Sequence, residues 1–432
     1  MAEIAAFRGI LYDTQKAGPA AKLLAPPYDV ISTEERARLA ALDAHNSVRL
    51  ILPDGEGDQK YAHAAALLKT WMEEGVMRRD DKPALYRYVQ TFQAPGENRT
   101  IIRKGFICRI RLHRFDEGVV LPHERTLSGP KADRLKLKRA TRTHLSQVFG
   151  LYSDPARATD KPFAEVEAGK PDLEGTTSDG VHQALYRLTD PAKQKEVIAL
   201  LSDKKIYIAD GHHRYETMLA LREELRRESN GDPNSSIEFG TIFLANMDDP
   251  GLVVFPTHRV VHGLPNFDLR ATLDAAKKYF TVEEMPLGDT AKVKKDLADR
   301  GAKNPAFGLA HASGIAYLTL RTDVALPIKG PDVVKTLDVT LLHALVIEEI
   351  LKIDRAAQEA QTNLRYVKDT AQALAEVKTP GVQAVFLMNP TKVTQVQAVA
   401  DAGEVMPQKS TFFYPKIASG LVLNPLIPSE KV

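Results

Sequence analysis

With 432 residues and 44% apolar content, the chain is long enough to bury more than one hydrophobic core. Its 58 Lys and Arg nearly balance 56 Asp and Glu, and the formal charge of +2 lacks the basic excess that binding duplex phosphates demands. A single cysteine, Cys108, excludes an internal disulfide and a cysteine-rich zinc site, and no run reaches the ~18 apolar residues of a membrane span.

The opening "MAEIAAFRGILYDTQKAG" lacks a basic region followed by a long apolar core, so a cytoplasmic protein without a membrane partner is the expectation. "APPYDVIS" reads as an ordered loop ahead of "ISTEERARLAALDAH", where Ser32 and Glu35 form a capping box that starts a helix. "YAHAAALLKTWMEEGVM" is a second helix, stopped by Gly75. "ALYRYVQTFQA" and "RKGFICRIRLHRF" read as strands joined by "PGEN". Residues 153–182 are polar and rich in Pro and Gly, which predicts a connection or a loosely structured excursion. "HQALYRLTD", "KIYIAD" and "TIFLANMD" then supply strands around a helix that begins near His212. Beyond the break "HGLPNFD" come an α/β segment from Leu269, the apolar helix "VTLLHALVIEEILKI" and the buried strand "GVQAVFLMNP". "TKVTQVQAVADAG" follows as a helix with Thr391 as candidate cap and Gly403 as stop. This alternation predicts a mixed α/β (α+β), multi-lobed protein with lobes over 1–152, 153–265 and 266–432.

Two constellations carry chemistry. In "KKIYIADGHHRYETMLALREELRRESNG" an apolar strand gives way to a helix at Asp210, Gly211, His212, His213 and Arg214. The first turn of a helix leaves backbone N–H groups without intrahelical partners and adds partial positive charge, so this turn suits an anion such as phosphate. Adjacent histidines point about 100° apart on a helix, which is poor geometry for chelating one metal, so phosphate contact or proton transfer is favoured over zinc. The plainer alternative is Asp210 as an ordinary N-cap with the histidines as satisfied polar groups.

The second is "VVLPHERTLSGPKADRLKLKRATRTHLSQVFGLY". His123, Glu124 and Arg125 end a strand, with Thr126 next, and Lys131, Arg134, Lys138 and Arg142 lie on one helical face. Such a stripe can hold a polyphosphate while Glu124 acts as general base toward a hydroxyl, or it can be a solvated helix face. Tyr28 and Asp29 in "APPYDVIS", and His258 and Arg259 in "PTHRVVHG", are candidate substrate contacts. Lys409, Ser410 and Thr411 in "PQKST" resemble the tail of a phosphate loop without its leading glycines. GxSxG, HExxH and GxGxxG patterns are absent.

Taken together, "APPYDVIS", "LPHERTLSGPK", "ADGHHRYET", "NMDDPGLVVFPTHR" and "MPQKSTFFYPK" resemble the bacterial domain of unknown function 1015 family, from about Phe7 to Val422. The Asp210–Arg214 word is also similar to that of free serine kinases on the ParB/sulfiredoxin-like fold, in which a Gly-x-x-Arg turn grips nucleotide phosphates. That resemblance implies a ParB/sulfiredoxin-like core and transfer of phosphate from ATP or ADP, with Mg²⁺, to the hydroxyl of serine. By position, Gly211, His212, His213 and Arg214 contact phosphate, and Asp210 lies close to the metal or hydroxyl. The base does not transfer; Glu124 is taken for it, with Asp29 and Asp210 in reserve.

The first reading is therefore a nucleotide-dependent phosphotransferase on a small hydroxyl metabolite, free serine before others, with Arg214, the histidines, Arg125 and Mg²⁺ neutralising charge. The second is a ParB-like regulatory switch occupied by CTP or ATP, with a protein or DNA partner. The near-neutral charge disfavours nucleic acid, and a homo-oligomer is left open.

Overall fold

The computed structural model describes residues 1–94, 99–124 and 129–432. The chain divides into two compact units: Met1–Pro122, Thr126–Val253 and Pro415–Val432 form the first, and His123–Arg125 with Val254–Tyr414 form the second. Residues on both sides of position 152 share the main sheet of the first unit.

That sheet has nine strands: β1 (Ile4–Ala5), β2 (Leu85–Gln93), β3 (Thr100–Arg111), β4 (Val120–Leu121), β5 (Val148–Tyr152), β6 (Leu173–Thr176), β7 (His182–Leu188), β8 (Ile206–Asp210) and β9 (Phe239–Asn246). Their order is β4-β8-β5-β9-β3-β2-β7-β6, with β1 beside β3. The β8–β4 and β9–β5 pairs are parallel and the remaining pairs antiparallel, which makes the sheet mixed. The "PGEN" turn expected between β2 and β3 lies outside the described residues.

Side chains alternate across a strand, and here the two faces differ in chemistry. Phe106, Cys108, Ile110, Val148, Ile206, Ile208, Ile242 and Leu244 belong to one apolar core cluster. The intervening residues place Arg103, Arg109, Thr241, Phe149, Phe243, Tyr88 and Gln90 on the opposite face, all buried. Arg103 lies over the rings of Phe149 and Phe243, 4.8 and 5.7 Å from their centroids.

Sequence signals are realised where they are local. Ser32 caps Thr33–Leu42 by accepting from the Glu35 amide, and the helix Gln59–Glu73 ends before Gly75, whose φ is +73°. Residues 153–182 depart from the expected loose excursion. They hold a 3₁₀ segment (Ala158–Phe163), a short helix (Ala164–Glu167) and strand β6. Buried Arg87 ties this stretch down through Asp160 (2.8 Å) and Glu167 (2.6 Å), and Phe163 enters the core. The polar composition thus supplies partners for a cation rather than a linker.

The second unit is an antiparallel six-stranded sheet of β10 (His258–His262), β11 (Phe280–Met285), β12 (Ala306–His311), β13 (Gly314–Leu320), β14 (Leu364–Val367) and β15 (Val382–Met388), in the order β11-β13-β12-β15-β10-β14. The apolar helix forms as Asp338–Leu341 continuing into a π-helical stretch, Leu342–Glu348. Thr391 does not cap the helix Val393–Asp401; its hydroxyl donates to the Ser410 carbonyl, and Lys392 takes the cap position. Among the described residues no helix is long and apolar enough to cross a membrane.

Gly105 sits on the polar face of β3, where an added Cβ would lie 2.4 Å from the Leu244 carbonyl oxygen and from the Phe243 ring. Gly105→Ala is therefore expected to destabilise the first unit by about 1–3 kcal/mol through overpacking, measured as a lowered denaturation midpoint in urea.

Candidate functional site

In the first unit the strand-to-helix turn is built by a bulge. The register of β8 against β5 shifts between Ile208, opposite Gly150, and Asp210, opposite Phe149. Without that shift Asp210 would join Val148 on the apolar face; with it, the carboxylate falls on the polar face beside Arg103's aromatic seat. Gly211 follows with φ +90°, and a Cβ there would meet the Arg214 guanidinium at 2.8 Å. Glycine is needed both for that backbone angle and for the side chain folded over it. Helix α2 (His212–Leu225) then starts without a side-chain cap, so Asp210 is not the N-cap that the plainer sequence reading allowed.

Asp210 instead holds two cations. Its Oδ2 accepts from Arg214 Nη2 and its Oδ1 from Lys416 Nζ. Arg214, 3% exposed, also donates through Nη1 to the Gln147 carbonyl. Lys416 is fixed from behind: Arg103 donates to the Pro415 carbonyl and Gln90 Nε2 to the Lys416 carbonyl (3.2 Å). Burial pushes the Asp210 carboxyl up, but Lys416 and Arg214 outweigh it and hold the pKa well below the usual range. His212 is buried and His213 half-buried on the first turn. Tyr28 packs its ring under the Arg134 guanidinium at 4.4 Å. Burial raises its hydroxyl pKa against the opposing charge of Arg214, while Asp29 beside it is exposed.

The basic stripe is not a solvated face. It lies on α1 (Gly129–Thr141), and Arg134 and Lys138 are buried. Lys131 pairs with Glu216, and Lys138 Nζ donates to the Arg214 carbonyl (2.9 Å) and the Thr217 hydroxyl (2.6 Å), all on α2. Arg134 pairs with Asp133 and donates to the Ile51 carbonyl. Arg142, just past the helix, pairs with Glu228 at 2.8 Å. Burial, then Arg214 and Arg134, drive the Lys138 amine well below the ordinary lysine range. Arg214 and Lys416 together share the one carboxylate of Asp210, and beside Lys416 opens a cleft of about 30 Å³, lined in part by Pro26, Pro27 and Gln183. It has room for about two waters.

The remaining candidates gather in the second unit. His123 Nε2 meets the Thr411 hydroxyl at 2.9 Å, and Glu124 Oε1 accepts from the Lys409 amide. Arg259 donates to the Lys409 carbonyl at 3.2 Å, and Ser410 is buried with its hydroxyl on the Pro407 carbonyl. His258 is fully engaged: Nε2 lies 3.1 Å from the Thr370 hydroxyl and Nδ1 accepts from the Met388 amide. Arg125 and Thr126 lie outside the described residues. Thus "APPYDVIS", the Asp210 turn and Lys416 meet in one unit, and His123–Glu124, His258–Arg259 and Lys409–Thr411 in the other. Sequence reasoning missed Lys416, although it closes the word "FFYPK"; attention to the Lys-Ser-Thr run hid it. Tyr366 and His343, which flank Arg259, carry no local signal.

The described residues do not fit a resident Mg²⁺. No group of three His, Cys, Asp or Glu among them could hold a metal, and both Asp210 oxygens are taken by cations.

The fold and this corner define a mixed α/β protein with a buried cationic strand-to-helix turn. The chain belongs to the family described as Protein of unknown function (DUF1015), whose model matches residues 4–340, short of the "PQKST" word. No protein of curated function matches the sequence. Solved structures similar to the chain include a conserved hypothetical protein from Pyrococcus furiosus, at TM-score 0.36 and 14% identity, covering 73% of this chain and 93% of that one. A free serine kinase in complex with AMP is similar at TM-score 0.35 and 13% identity, covering 72% and 86%. SbnI with C-terminal truncation, from Staphylococcus aureus, is similar at TM-score 0.35 and 11% identity, covering 74% and 87%.

Asp210→Asn leaves buried Arg214 and half-buried Lys416 without their shared anion, so a loss of about 3–5 kcal/mol is expected. Because the folded pKa is depressed, the contribution of Asp210 is fully present above the unfolded value of about 3.9 and fades as pH falls below it. The wild-type chain should therefore lose stability on acidification, and the Asn variant should lose less, read by denaturant midpoints from neutral pH to pH ~3.

Lys138 has the same sign in a higher pH window. Between its lowered folded pKa and the unfolded value of about 10.4, the unfolded state binds the extra proton, so stability rises with pH. Lys138→Met is expected to flatten that rise, seen by comparing denaturation midpoints at neutral and alkaline pH.

Proposed function

We propose that the protein is a nucleotide-dependent phosphotransferase whose first unit, on a ParB/sulfiredoxin-like core, seats donor phosphates at the Gly211–Arg214 turn. The observation that supports this reading is the pair of cations, buried Arg214 and half-buried Lys416, held on the single carboxylate of Asp210 at a helix N-terminus without a side-chain cap. Phosphate oxygens replace Asp210 as the partner of Lys416 and Arg214, and the amides of the first turn add donors. The narrow cleft means that entry requires this ion pair to open.

In this reading charge neutralisation and positioning do the catalytic work. Asp210, held ionised, is a weak base, and its part is to seat the two cations. The proton of the acceptor hydroxyl goes to another carboxylate, for which the exposed Asp29 of the same unit is the candidate. Tyr28 lies within electrostatic reach of Arg214 and Asp210. Free serine is the acceptor assigned by the likeness of the Asp210–Arg214 word, with ATP or ADP as donor and Mg²⁺ arriving on the nucleotide.

The full chain is to be incubated with Mg²⁺, ATP or ADP, and L-serine, and phosphoserine followed by ³¹P NMR. Product is expected, and Lys416→Met should lower kcat/KM by about 10²–10³. Asp29→Asn is expected to remove the chemical step while leaving nucleotide binding in place. Nucleotide bound without any phosphorylated product would retain the phosphate seat and remove the transfer; no nucleotide binding would remove both.

A further inference from the structure

The second unit holds a buried charge without a counterion at hand. Arg259 on β10 is 1% exposed, and among the described residues no carboxylate lies within ion-pair distance of it. Its hydrogen bonds go to neutral acceptors: Nε to His343 Nε2 (3.1 Å), Nη1 to the Thr257 carbonyl and to Met388 Sδ (2.9 Å), and Nη2 to the Lys409 carbonyl (3.2 Å). A guanidinium has five donors in a planar fork, so one N–H is left over.

His343 cannot supply the missing charge. Its Nε2 accepts from Arg259, so the ring proton sits on Nδ1 and is donated to Gln358 Oε1 at 2.7 Å. Burial and then Arg259 lower its pKa to about 3, which keeps the ring neutral. Glu124 acts on Arg259 only through longer-range attraction, and its Oε1 is occupied by the Lys409 amide. Burying a guanidinium among neutral groups is costly.

A second feature points to the same spot. Lys409 is a non-glycine residue in the left-handed region, φ +58°, and its side chain is exposed. That strained turn is what aims the Lys409 carbonyl at Arg259. Backbone held in a sparsely populated region beside a functional charge is a recognised sign of a site poised to change. The carbonyl occupies, as a neutral stand-in, the position an anionic oxygen would take.

We propose that the second unit contains an oxyanion-binding site centred on Arg259, in which a carboxylate or phosphate group of a small metabolite displaces the Lys409 carbonyl. Nη2 supplies the freed N–H together with the one left over, the Tyr366 ring supports the guanidinium from 5.5 Å, and the exposed ammonium of Lys409 adds positive charge. Release of the carbonyl lets Lys409 leave the left-handed region, so binding and relaxation of the turn occur together. The site goes beyond the phosphotransferase reading, since its residues belong to the other unit.

The test uses the full chain with ¹⁵N-labelled arginine, titrated separately with inorganic phosphate, acetate and chloride at constant ionic strength. The Arg259 Nε resonance, assigned through Arg259→Lys, is expected to shift saturably with phosphate, with acetate, or with both, and not with chloride; which of the two acts names the ligand class. Arg259→Lys, which keeps charge and loses the fork, should weaken the ligand-dependent rise in thermal midpoint at least tenfold in concentration. A resonance unmoved by phosphate and acetate, or moved equally by chloride, overturns the site. The Arg214 resonance in the same spectra reports the first unit separately, so failure of one site is distinguishable from failure of the other. Should the Lys variant not fold, assignment by Tyr366→Leu, which removes the ring current on Arg259, keeps the titration decisive.

Discussion

Asp210 carries two cations on one carboxylate, and the organisation of the first unit follows from that constraint. A side chain this buried and this charged is tolerated only if its oxygens are fully occupied. The bulge in β8 provides the first condition by moving Asp210 off the apolar face. Gly211 provides the second, because only a residue without Cβ lets the Arg214 guanidinium fold back over the turn. The third comes from a distant part of the chain, where Arg103 and Gln90 hold the backbone at Pro415 and Lys416.

The same arrangement explains why the first unit keeps arginines inside. One face of its sheet is an ordinary apolar core, and the other is a layer of aromatic rings and guanidinium groups. Arg103 lies between Phe149 and Phe243, and Arg109 over Phe7 at 5.5 Å, paired with Glu430 at 2.7 Å. Guanidinium groups are weakly hydrated and stack on aromatic faces, which makes them the cations best suited to such burial. Lys138 lacks those advantages, and its amine is accordingly driven toward the neutral form.

Much of the fold was legible because its signals are local. The Ser32 cap, the stop at Gly75, and the strands over Leu85–Gln93, Ile206–Asp210 and Phe239–Asn246 depend on residues within a few positions of one another. The candidate site was legible in part for the same reason: a strand, a glycine and a helix start are contiguous. Arg214 could be placed on the turn, but its commitment to Asp210 and Gln147 could not. The stretch 153–182 was misjudged because polar composition describes a linker and a set of ion-pair partners equally well. Arg87, which makes the difference, is far away in sequence.

Amino-acid order alone determined the element types, the family words and the strand-to-helix turn at Gly211, since these arise from short-range sterics and backbone hydrogen bonding. Tertiary structure decided which words meet. It brought Lys416 to Asp210, turned the basic stripe inward onto α2, and set His123, Glu124 and Arg259 around the Lys409 turn in the other unit. Those outcomes rest on pairings between residues separated by tens to hundreds of positions, and burial then sets their charge. Neither distance nor dielectric environment can be read from a linear chain.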